Sequence, residues 1–419
     1  MLESKKYSFY KILSFNSISM LLKIIMGIVS TKLSSIYLGI HGINTLEFFR
    51  NFTSVSDSLS QFGLQNGIVK NSALSESVHQ DRKVISTAFF LLLAITLLIA
   101  FVVFVFLDKI QLYLFGNTLY EKVILLYIFS LPIITIQTIL LSYLQGKEFY
   151  KKVIFINCIG YLLNILLSFY LIINFQVVGA MFQIVIVPVI LTFITLLFFE
   201  NKKEIFFYLS PNYFDKTVLK NLLGFTSMSV VSTIITPLSF IAIRSLIQDN
   251  LGEHYSGIWS SVLRLSSFYM LFIVSICNLY FFPKLVKAVA NNTGNIVVRE
   301  YFKKFVPITI LGFLICFLFK NLIIKLLYTD EFLVIKDYLN YQLIADFIKT
   351  LYLIFGYYLI AIQKIKMYII FELLSVGIYV VFAKYSIDYF HLKGVYYALI
   401  VSFIIYLMLT FYMYKVKKS

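Results

Sequence analysis

Apolar residues along the chain gather into about a dozen stretches of roughly 20 residues, separated by short polar connections. A helix of this length can cross the hydrocarbon core of a bilayer. Hydrophobic residues make up 60% of the chain and the mean hydropathy is +0.89, which leaves too little polar surface to cover a soluble core. The pattern predicts an all-α integral membrane protein with about 12 transmembrane helices, at 10–38, 42–70, 84–107, 119–145, 152–173, 177–200, 217–247, 254–283, 301–320, 333–362, 366–385 and 393–414.

The second of these stretches, 42–70, is polar enough to score as a loop by hydropathy alone. On a helix that turns about 100° per residue, Arg50, Ser54, Asp57 and Gln61 fall within about 60° of one another. The phenylalanines of the segment lie on other faces. A polar stripe on an otherwise apolar helix is typical of a helix that lines a cavity, so a helix is predicted over 42–70.

Lysine and arginine are distributed unevenly between the two sides of the predicted membrane. With a cytoplasmic N-terminus, 23 of the 36 fall in inside segments and 7 in outside segments. Cytoplasmic loops of membrane proteins carry such an excess, so both termini are predicted to be cytoplasmic. The net charge of +16 then follows largely from this rule and from contact with anionic lipid heads, and nucleic acid is not an expected partner.

The connections between the predicted spans are too short to hold an extramembrane catalytic domain. The longest inside connection, 201–216, is predicted to be a cytoplasmic linker between an N-terminal six-helix lobe, 1–200, and a C-terminal six-helix lobe, 217–419. Gly42 and Gly257 open the second and eighth spans, and each is followed within eight residues by an arginine, Arg50 or Arg264. This echo favours duplicated halves of the same orientation, as in transporters built from parallel repeats.

Standard catalytic and metal-binding motifs are absent from the sequence. The three cysteines, Cys158, Cys277 and Cys316, lie within predicted spans and lack metal-ligand spacing, so they are interpreted as small apolar residues. We expect no cofactor, no metal ion and no disulfide. The expected class is a transporter, not an enzyme, driven by an ion gradient, the membrane potential or the gradient of its substrate.

Ten charged residues, six basic and four acidic, are assigned to the membrane interior of the predicted spans, and charged residues near the span ends are counted with the connections. Each costs about 2.5–3.5 kcal/mol at a helix centre, so together they predict a hydrated or internally paired interior. The arginines suit an anionic cargo, because a guanidinium fork matches phosphate oxygens. Two structural alternatives remain open: one lysine near a span end can snorkel to the interface, and an acidic and a basic residue three positions apart can form an internal pair. The snorkelling alternative concerns Lys32, and the internal pair concerns Asp346 and Lys349. The ten residues are Lys23, Lys32, Glu47, Arg50, Asp57, Arg244, Arg264, Asp346, Lys349 and Glu372.

Short motifs run through the whole chain in a characteristic order. They are Lys23, Gly27, Lys32, Gly39 and Gly42; Phe49-Arg50; Asn66-Gly67-Ile68-Val69-Lys70; Leu114-Phe115-Gly116-Asn117; Pro237 with Arg244; Gly257-Ile258-Trp259-Ser260; and Ala345-Asp346-Phe347-Ile348-Lys349 followed by Phe355-Gly356-Tyr357. In order and spacing they resemble the bacterial Wzx-type O-antigen flippases, most closely the branch that moves the lipid-linked common-antigen repeat unit. The resemblance implies the multidrug/oligosaccharidyl-lipid/polysaccharide exporter superfamily, with two six-helix lobes around a central cationic cavity.

The resemblance also implies a cargo, undecaprenyl diphosphate-linked oligosaccharide, which is moved from the cytoplasmic to the outer leaflet of the bacterial inner membrane for surface polysaccharide synthesis. Membrane lipids, and the polymerase and chain-length regulator of the same pathway, are the implied partners. The residues matched by position are Lys23, Arg50, Arg244, Asp346, Lys349 and Glu372. Asp57 and Arg264 rest on the pattern of this sequence alone.

These residues are assigned three expected roles. The cationic residues expected to bind the diphosphate are Lys23, Arg50, Arg244 and Arg264. The polar residues expected to bind the sugars are Asp57, Gln61 and Gln342. The residues expected to couple an ion to the transport cycle are Asp346, Lys349 and Glu372.

Two other functions stay open at this stage. A cation-coupled multidrug exporter of the same fold is an alternative, although its cargo is usually cationic and the in-span charges here are mainly basic. A membrane-embedded glycan polymerase is a weaker alternative, because it needs a sizeable outside loop with catalytic residues.

Overall fold

The computed structural model describes residues 9–75, 77–199, 210–223, 226–291 and 293–416, and these residues form helices and turns without a β-strand. The predicted all-α class is therefore confirmed. The helices are α1 (Phe9–Tyr37), α2 (Gly39–Gln61), α3 (Gln65–Leu74), α4 (Val78–Val105), α5 (Leu107–Phe115), α6 (Glu121–Gly146), α7 (Tyr150–Leu197), α8 (Lys216–Leu223), α9 (Thr226–Leu251), α10 (Glu253–Ile276), α11 (Phe282–Ala290), α12 (Gly294–Glu300), α13 (Val306–Leu318), α14 (Lys320–Leu327), α15 (Ile335–Ala361), α16 (Ile365–Phe390) and α17 (Leu392–Val416). Single π-helical turns follow α10 at Cys277–Phe281 and α12 at Tyr301–Phe305.

Nine helices within the described ranges are long and apolar enough to cross a membrane. One of them, α7, holds 48 residues and breaks at Gln176, where φ is 49° and ψ is −126°, so it supplies two crossings. α2 and α9 have spanning length as well, with 23 and 26 residues, but are more polar. The protein is a multi-pass membrane protein with about twelve crossings, as predicted.

The predicted helix over 42–70 is wrong in its second part. α2 ends at Gln61, and the next residue, Phe62, adopts a left-handed conformation with φ 46°. Gly63 follows with φ 64°, and a second helix, α3, begins at Gln65. Two successive residues at positive φ cannot continue an α-helix, so the chain turns here.

The chain divides into two compact units. Unit 1 consists of residues 1–38 and 45–237, and unit 2 consists of residues 39–44 and 238–419. The boundaries of the lobes predicted from the sequence stay a prediction, and residues 201–209 of the predicted linker lie outside the described residues.

In unit 1, α6 packs against α3, α4 and α7, and α7 packs against α1. The contact with α3 is close because α6 ends in a glycine. A Cβ atom on Gly146 would lie 2.6 Å from the carbonyl oxygen of Val69, far inside van der Waals contact. Beside this contact, Asp81 forms a 2.9 Å ion pair with Lys147 and accepts a 3.1 Å hydrogen bond from the Tyr143 hydroxyl.

In unit 2, α15 is central and packs against α10, α13 and α17, while α16 packs mainly against α17. The first turn of α2 also belongs to this unit. A Cβ atom on Gly257 would lie 2.4 Å from the carbonyl oxygen of Ile40, so α10 and this turn meet backbone to backbone. Asn44 reinforces the contact by donating to Gln248 at 2.9 Å and accepting from Ser256 at 2.7 Å.

Backbone turns recur at a constant spacing in the two halves of the sequence. Glu148 and Gln363 precede α7 and α16 with φ of 60° and 59°. Gln176 and His391 break the following hairpins with φ of 49° and 50°. The members of each pair are 215 positions apart. Non-glycine residues are uncommon at positive φ, so two such pairs in register indicate a shared backbone design.

Close helix contacts follow the same spacing. Cβ atoms on Gly179 and Gly394 would lie 1.9 Å and 2.3 Å from the carbonyl oxygens of Leu171 and Ser386, respectively. Both glycines, and both carbonyls, are again 215 positions apart. This geometry supports the predicted duplication of the halves.

The end of the predicted linker is bound to unit 1 along a segment that we call the connector strap, residues 210–215. Lys83 on α4 forms a 2.8 Å ion pair with Asp215, and the Ser86 hydroxyl donates to the carbonyl oxygen of Ser210 at 2.7 Å. This part of the linker is therefore fixed along α4.

Asp215 also caps the helix that follows the strap. Its Oδ1 atom accepts from the backbone N–H groups of Thr217 and Val218, at 2.8 Å and 3.3 Å, which is the geometry of a helix N-cap. Hydrogen bonds from Lys83 and from Thr217 hold the pKa of the Asp215 carboxyl well below its ordinary range.

Candidate functional site

The polar stripe predicted on α2 is present in unit 1. Arg50, Ser54, Asp57 and Gln61 are all half-buried, whereas the neighbouring aromatic residues, among them Phe49, are buried. Helical periodicity sorts the two sets onto different faces, because residues three and four apart share a face. α2 therefore offers a partly accessible polar face backed by an aromatic one.

Arg50 lies beside an acidic partner on its own helix. Its Nη1 atom contacts the carboxylate of Glu47, one turn earlier, and its side chain remains 24% exposed. A guanidinium has five N–H donors, so a single carboxylate contact leaves capacity for further acceptors. Arg50 is thus an accessible, partly neutralised cation.

Asp57 is held by a tyrosine from another helix. The hydroxyl of Tyr127 on α6 lies 2.7 Å from Asp57 Oδ1 and 3.0 Å from the carbonyl oxygen of Thr53. The ring of Tyr127 is 1% exposed and packs edge-on against Phe49 and Phe52, with centroid distances of 6.2 Å and 5.8 Å. The phenol is fixed by packing, and it fixes the carboxylate in turn.

Two further predicted binding residues, Gln61 on α2 and Lys23 on α1, differ in exposure. Gln61, at the end of α2, accepts a 2.5 Å hydrogen bond from Gln65 across the turn at Phe62. Lys23 on α1 is exposed. Their roles in substrate binding stay predictions.

The most enclosed carboxylate among the predicted site residues is Asp346, in unit 2. It is 2% exposed and lies where α15 packs against α10. Ser266 and Tyr269 on α10 donate to its Oδ2 atom at 2.6 Å and 2.5 Å. Gln342, one turn earlier on α15, donates to Oδ1 at 3.1 Å. Three neutral donors converge on this one carboxylate, which is how a buried acid is usually accommodated.

The internal ion pair considered for Asp346 and Lys349 is not formed, since no contact within 4.0 Å joins these two described residues. Lys349 lies instead with its Nζ atom 5.9 Å from the ring centroid of Phe403 on α17. Glu372, on α16, is half-buried. The predicted ion-coupling set is thus divided between two helices of unit 2, with Asp346 and Lys349 on α15 and Glu372 on α16.

Arg244 is enclosed by unit 2. It is 1% exposed, its Nε atom donates to the Ser260 hydroxyl at 3.0 Å, and its guanidinium carbon lies 5.5 Å from the centroid of the Trp259 ring. A guanidinium stacked on an indole and bonded to a hydroxyl joins α9 to α10. Its predicted contact with cargo stays a prediction, and its contacts in this structure are structural.

Arg264 has a more open position on α10 than Arg244. It is half-buried, and its guanidinium carbon lies 5.6 Å from the centroid of the Phe268 ring, one turn later. Arg264 is therefore more accessible than the enclosed Arg244.

Sequence reasoning missed the residues that hold the carboxylates, namely Tyr127, Tyr269 and Ser266. Counted by predicted spans, Asp57 lies on the second span of its half and is held by a tyrosine of the fourth. Asp346 lies on the fourth span of its half and is held by a tyrosine of the second. The only signal in the sequence is the 215-residue spacing, which relates Tyr127 to Gln342.

Comparison with known proteins shows which family the chain belongs to. The family model described as "Polysaccharide biosynthesis protein" matches residues 10–289, about two thirds of the chain. The chain belongs to this family. Two similar proteins, each named lipid III flippase, come from Escherichia coli (strain K12) and Shigella flexneri. Each is 25% identical over 392 residues, which cover 93% of this chain and 94% of the relative.

Solved structures show the same fold. An inward-facing multidrug resistance MATE family transporter of the MOP superfamily matches with a TM-score of 0.80 at 16% identity, covering 96% of this chain and 94% of that one. The outward-facing conformation of such a transporter matches with a TM-score of 0.67 at 16% identity, over 96% and 95% of the two chains. A MOP superfamily transporter from Pyrococcus furiosus, described as having a binding pocket of reverse polarity, matches with a TM-score of 0.67 at 15% identity over the same shares.

These comparisons confirm the resemblance drawn from the sequence and the all-α, multi-pass fold class that was predicted. They also confirm the predicted class, a transporter and not an enzyme, because the relatives are named flippases and the solved structures are transporters.

Proposed function

We propose that this protein flips an undecaprenyl diphosphate-linked oligosaccharide from the cytoplasmic to the outer leaflet of the bacterial inner membrane, for the synthesis of O-antigen or a similar surface polysaccharide. The observation that carries the proposal is the alignment of two lipid III flippases over 93% of this chain, within a family of polysaccharide biosynthesis proteins. The cytoplasmic position of both termini belongs to the same proposal and is supported by the distribution of lysine and arginine.

The chemistry of this cargo defines what the protein must supply. Its polyprenyl tail dissolves in lipid, but its diphosphate and sugar hydroxyls lose their hydrogen bonds to water on entering hydrocarbon. A protein that lowers this barrier needs cationic groups for the diphosphate and hydrogen-bonding groups for the sugars. The charged and amide side chains of α2, α10 and α15 are of this kind.

In the proposed mechanism, Arg50 and Arg264 contact the diphosphate, because both are half-buried and therefore partly accessible. Lys23 and Arg244 are the other cationic residues proposed for this part of the cargo. Phosphate has to share the Arg50 guanidinium with Glu47, and the fork geometry of arginine permits this because its donors point in several directions.

The sugar hydroxyls of the cargo are proposed to hydrogen-bond to polar side chains of the protein. Asp57 and Gln61 on α2 and Gln342 on α15 are the proposed contacts. Asp57 accepts only, whereas the two amides accept and donate, so together they can match hydroxyl groups of either orientation.

Energy input is assigned to the ionisable residues of unit 2. We propose that Asp346, with Lys349 and Glu372, couples a proton or cation to alternating access. The enclosed position of Asp346 supports this role, since a buried carboxylate changes its interactions strongly when it gains or loses a positive ion. Membrane lipids, and the polymerase and chain-length regulator of the pathway, are the proposed partners.

Transfer in proteoliposomes tests the function. Purified protein is reconstituted with fluorescently labelled undecaprenyl diphosphate-linked oligosaccharide, and the fraction of head groups accessible to an impermeant quencher is followed over time. Leaflet exchange above that of protein-free vesicles, without growth of the glycan chain, is expected. Vesicles that move a cationic drug but leave the lipid-linked oligosaccharide in its leaflet would contradict the proposal and favour the multidrug exporter.

A further inference from the structure

Tyr127 stands out among the residues that the function has not used, because its hydroxyl is buried between two acceptors of the same helix. Thr53 and Asp57 are one turn apart on α2, and the Tyr127 oxygen lies within 3.0 Å of the carbonyl oxygen of the first and the carboxylate of the second. A phenol has one proton, so it shares this proton between the two acceptors or alternates between them.

The aromatic surroundings allow Tyr127 little freedom. Its ring contacts Phe49 and Phe52, and all three rings are buried in unit 1. Edge-to-face contacts of this kind fix the plane of a ring. The hydroxyl is therefore presented to α2 at one height and in one direction.

Another tyrosine–aspartate contact on α6 shows what a purely structural arrangement looks like in this protein. Tyr143 donates to Asp81 at 3.1 Å, but Asp81 is also neutralised by Lys147 at 2.9 Å and is buried. Asp57 is different. The described residues offer it no cation within 4.0 Å, and their only hydrogen bond to its side chain comes from Tyr127.

We propose that Tyr127 is a positioning residue for cargo recognition: it holds Asp57 Oδ1 so that Oδ2 is presented, already oriented, to the sugar hydroxyls of the lipid-linked oligosaccharide. This inference rests on the proposed function and adds to it a residue that does not itself touch the cargo. A carboxylate that is held by one neutral donor keeps its charge and its second oxygen, both of which a hydroxyl donor can use. Pre-orientation saves the rotamer entropy that a free aspartate would lose on binding.

The test compares initial flipping rates over a range of cargo concentrations, with wild type, Tyr127→Phe, Asp57→Asn and the double variant in proteoliposomes. Tyr127→Phe keeps the ring packing and removes the hydroxyl. It should raise the half-saturating cargo concentration about tenfold and leave the maximal rate within about twofold, as expected for the loss of one charge-assisted interaction. The double variant should match Asp57→Asn, because Tyr127 acts through Asp57.

Two further variants separate positioning from folding. Tyr143→Phe is the matched control on the same helix, and it should leave the half-saturating concentration unchanged. Asp57→Glu keeps the charge but moves the carboxylate away from the phenol, so it should raise the half-saturating concentration without disturbing the buried ring.

The outcomes distinguish this inference from the proposed function. If wild type flips the cargo and Tyr127→Phe or Asp57→Glu saturates as wild type does, the positioning role is refuted and the function stands. The positioning role is also refuted if Tyr127→Phe raises the half-saturating concentration as much in the Asp57→Asn background as in wild type. The effect would then come from packing and not from Asp57. If wild type does not flip the cargo, the function and this inference fall together.

Discussion

Removal of the Asp346 carboxylate should destabilise unit 2 through the donors that it leaves behind. In Asp346→Ala, the hydroxyls of Ser266 and Tyr269 and the amide of Gln342 all lose the acceptor that they now share. These groups are enclosed by α10 and α15, so water does not readily replace the lost acceptor.

The size of the effect follows from the number of hydrogen bonds. Hydrogen bonds between helices in membrane proteins contribute about 0.6 kcal/mol on average and about 1.7 kcal/mol at most, so three bonds amount to about 2–5 kcal/mol. Removing a buried charge returns part of the cost of burying it, which favours the lower end of this range. We expect a loss of about 2 kcal/mol, or on the order of 5 °C in the unfolding temperature of a unit of this size.

Lys349 supplies the comparison. Because it contacts Phe403 and forms no ion pair with Asp346, Lys349→Ala should cost at most about 1 kcal/mol, the value of a cation–π contact at a partly exposed site. The double variant should then lose the sum of the two single effects. Thermal unfolding of the purified proteins in detergent, monitored by the loss of monodisperse protein, measures all four members of the cycle.

Recovery of stability in the double variant would refute this reasoning. If the two residues compensate each other's charge, then each single variant leaves a charge without its partner and the double variant regains most of the loss. The same four proteins report on coupling. If the double variant folds well and transports at a near-normal rate, Asp346 has no coupling role and Glu372 becomes the next candidate.

Three other predictions concern topology, cargo contact and pH. A cysteine at position Asn174 should react with an impermeant thiol reagent added from outside, and one at Asn201 should not; outside labelling at Asn201 would exclude the predicted topology. Arg50→Ala should reduce flipping by about 10- to 100-fold at normal protein abundance, since a charge-assisted contact is worth about 1.5–3 kcal/mol, and Arg50→Lys should recover only part; full activity of the alanine variant in a flippase-deficient strain would count against a diphosphate contact. Because the pKa of Asp215 is lowered in the folded protein, its carboxylate stabilises the fold above the ordinary aspartate pKa of about 4 and loses this effect as the pH falls further. The unfolding temperature of Asp215→Asn should therefore lie below that of wild type at pH 7 and approach it below about pH 4, and a constant difference would show that the charge is not responsible.

The sequence was sufficient to predict the helices and the polar face of α2, because both depend on local periodicity. The apolar stretches gave the class and the approximate number of crossings. The stripe that contains Arg50 and Asp57 could be drawn from a rotation of about 100° per residue, and the structure leaves it half-buried.

Features that depend on contacts between distant segments could not be predicted in this way. The turn at Phe62 requires a non-glycine residue at positive φ, which no local rule favours. Tyr127 reaches Asp57 across 70 positions, and Tyr269 reaches Asp346 across 77. Asp346 and Lys349 have the spacing of a helical ion pair, but stronger donors on α10 occupy the carboxylate.

The connector strap determines where the polypeptide can be divided into separately produced halves. A fragment that stopped at residue 200 would contain all of α7 but would leave Lys83 and Ser86 on α4 without the acceptors that residues 210–215 supply. It would also lack α8, whose Leu222 side chain is fully buried within the N-terminal half. The structural end of that half therefore does not precede the end of α8. A co-expressed pair of fragments, or an inserted protease site, preserves these contacts better with a break after Leu223 than with one at residue 200.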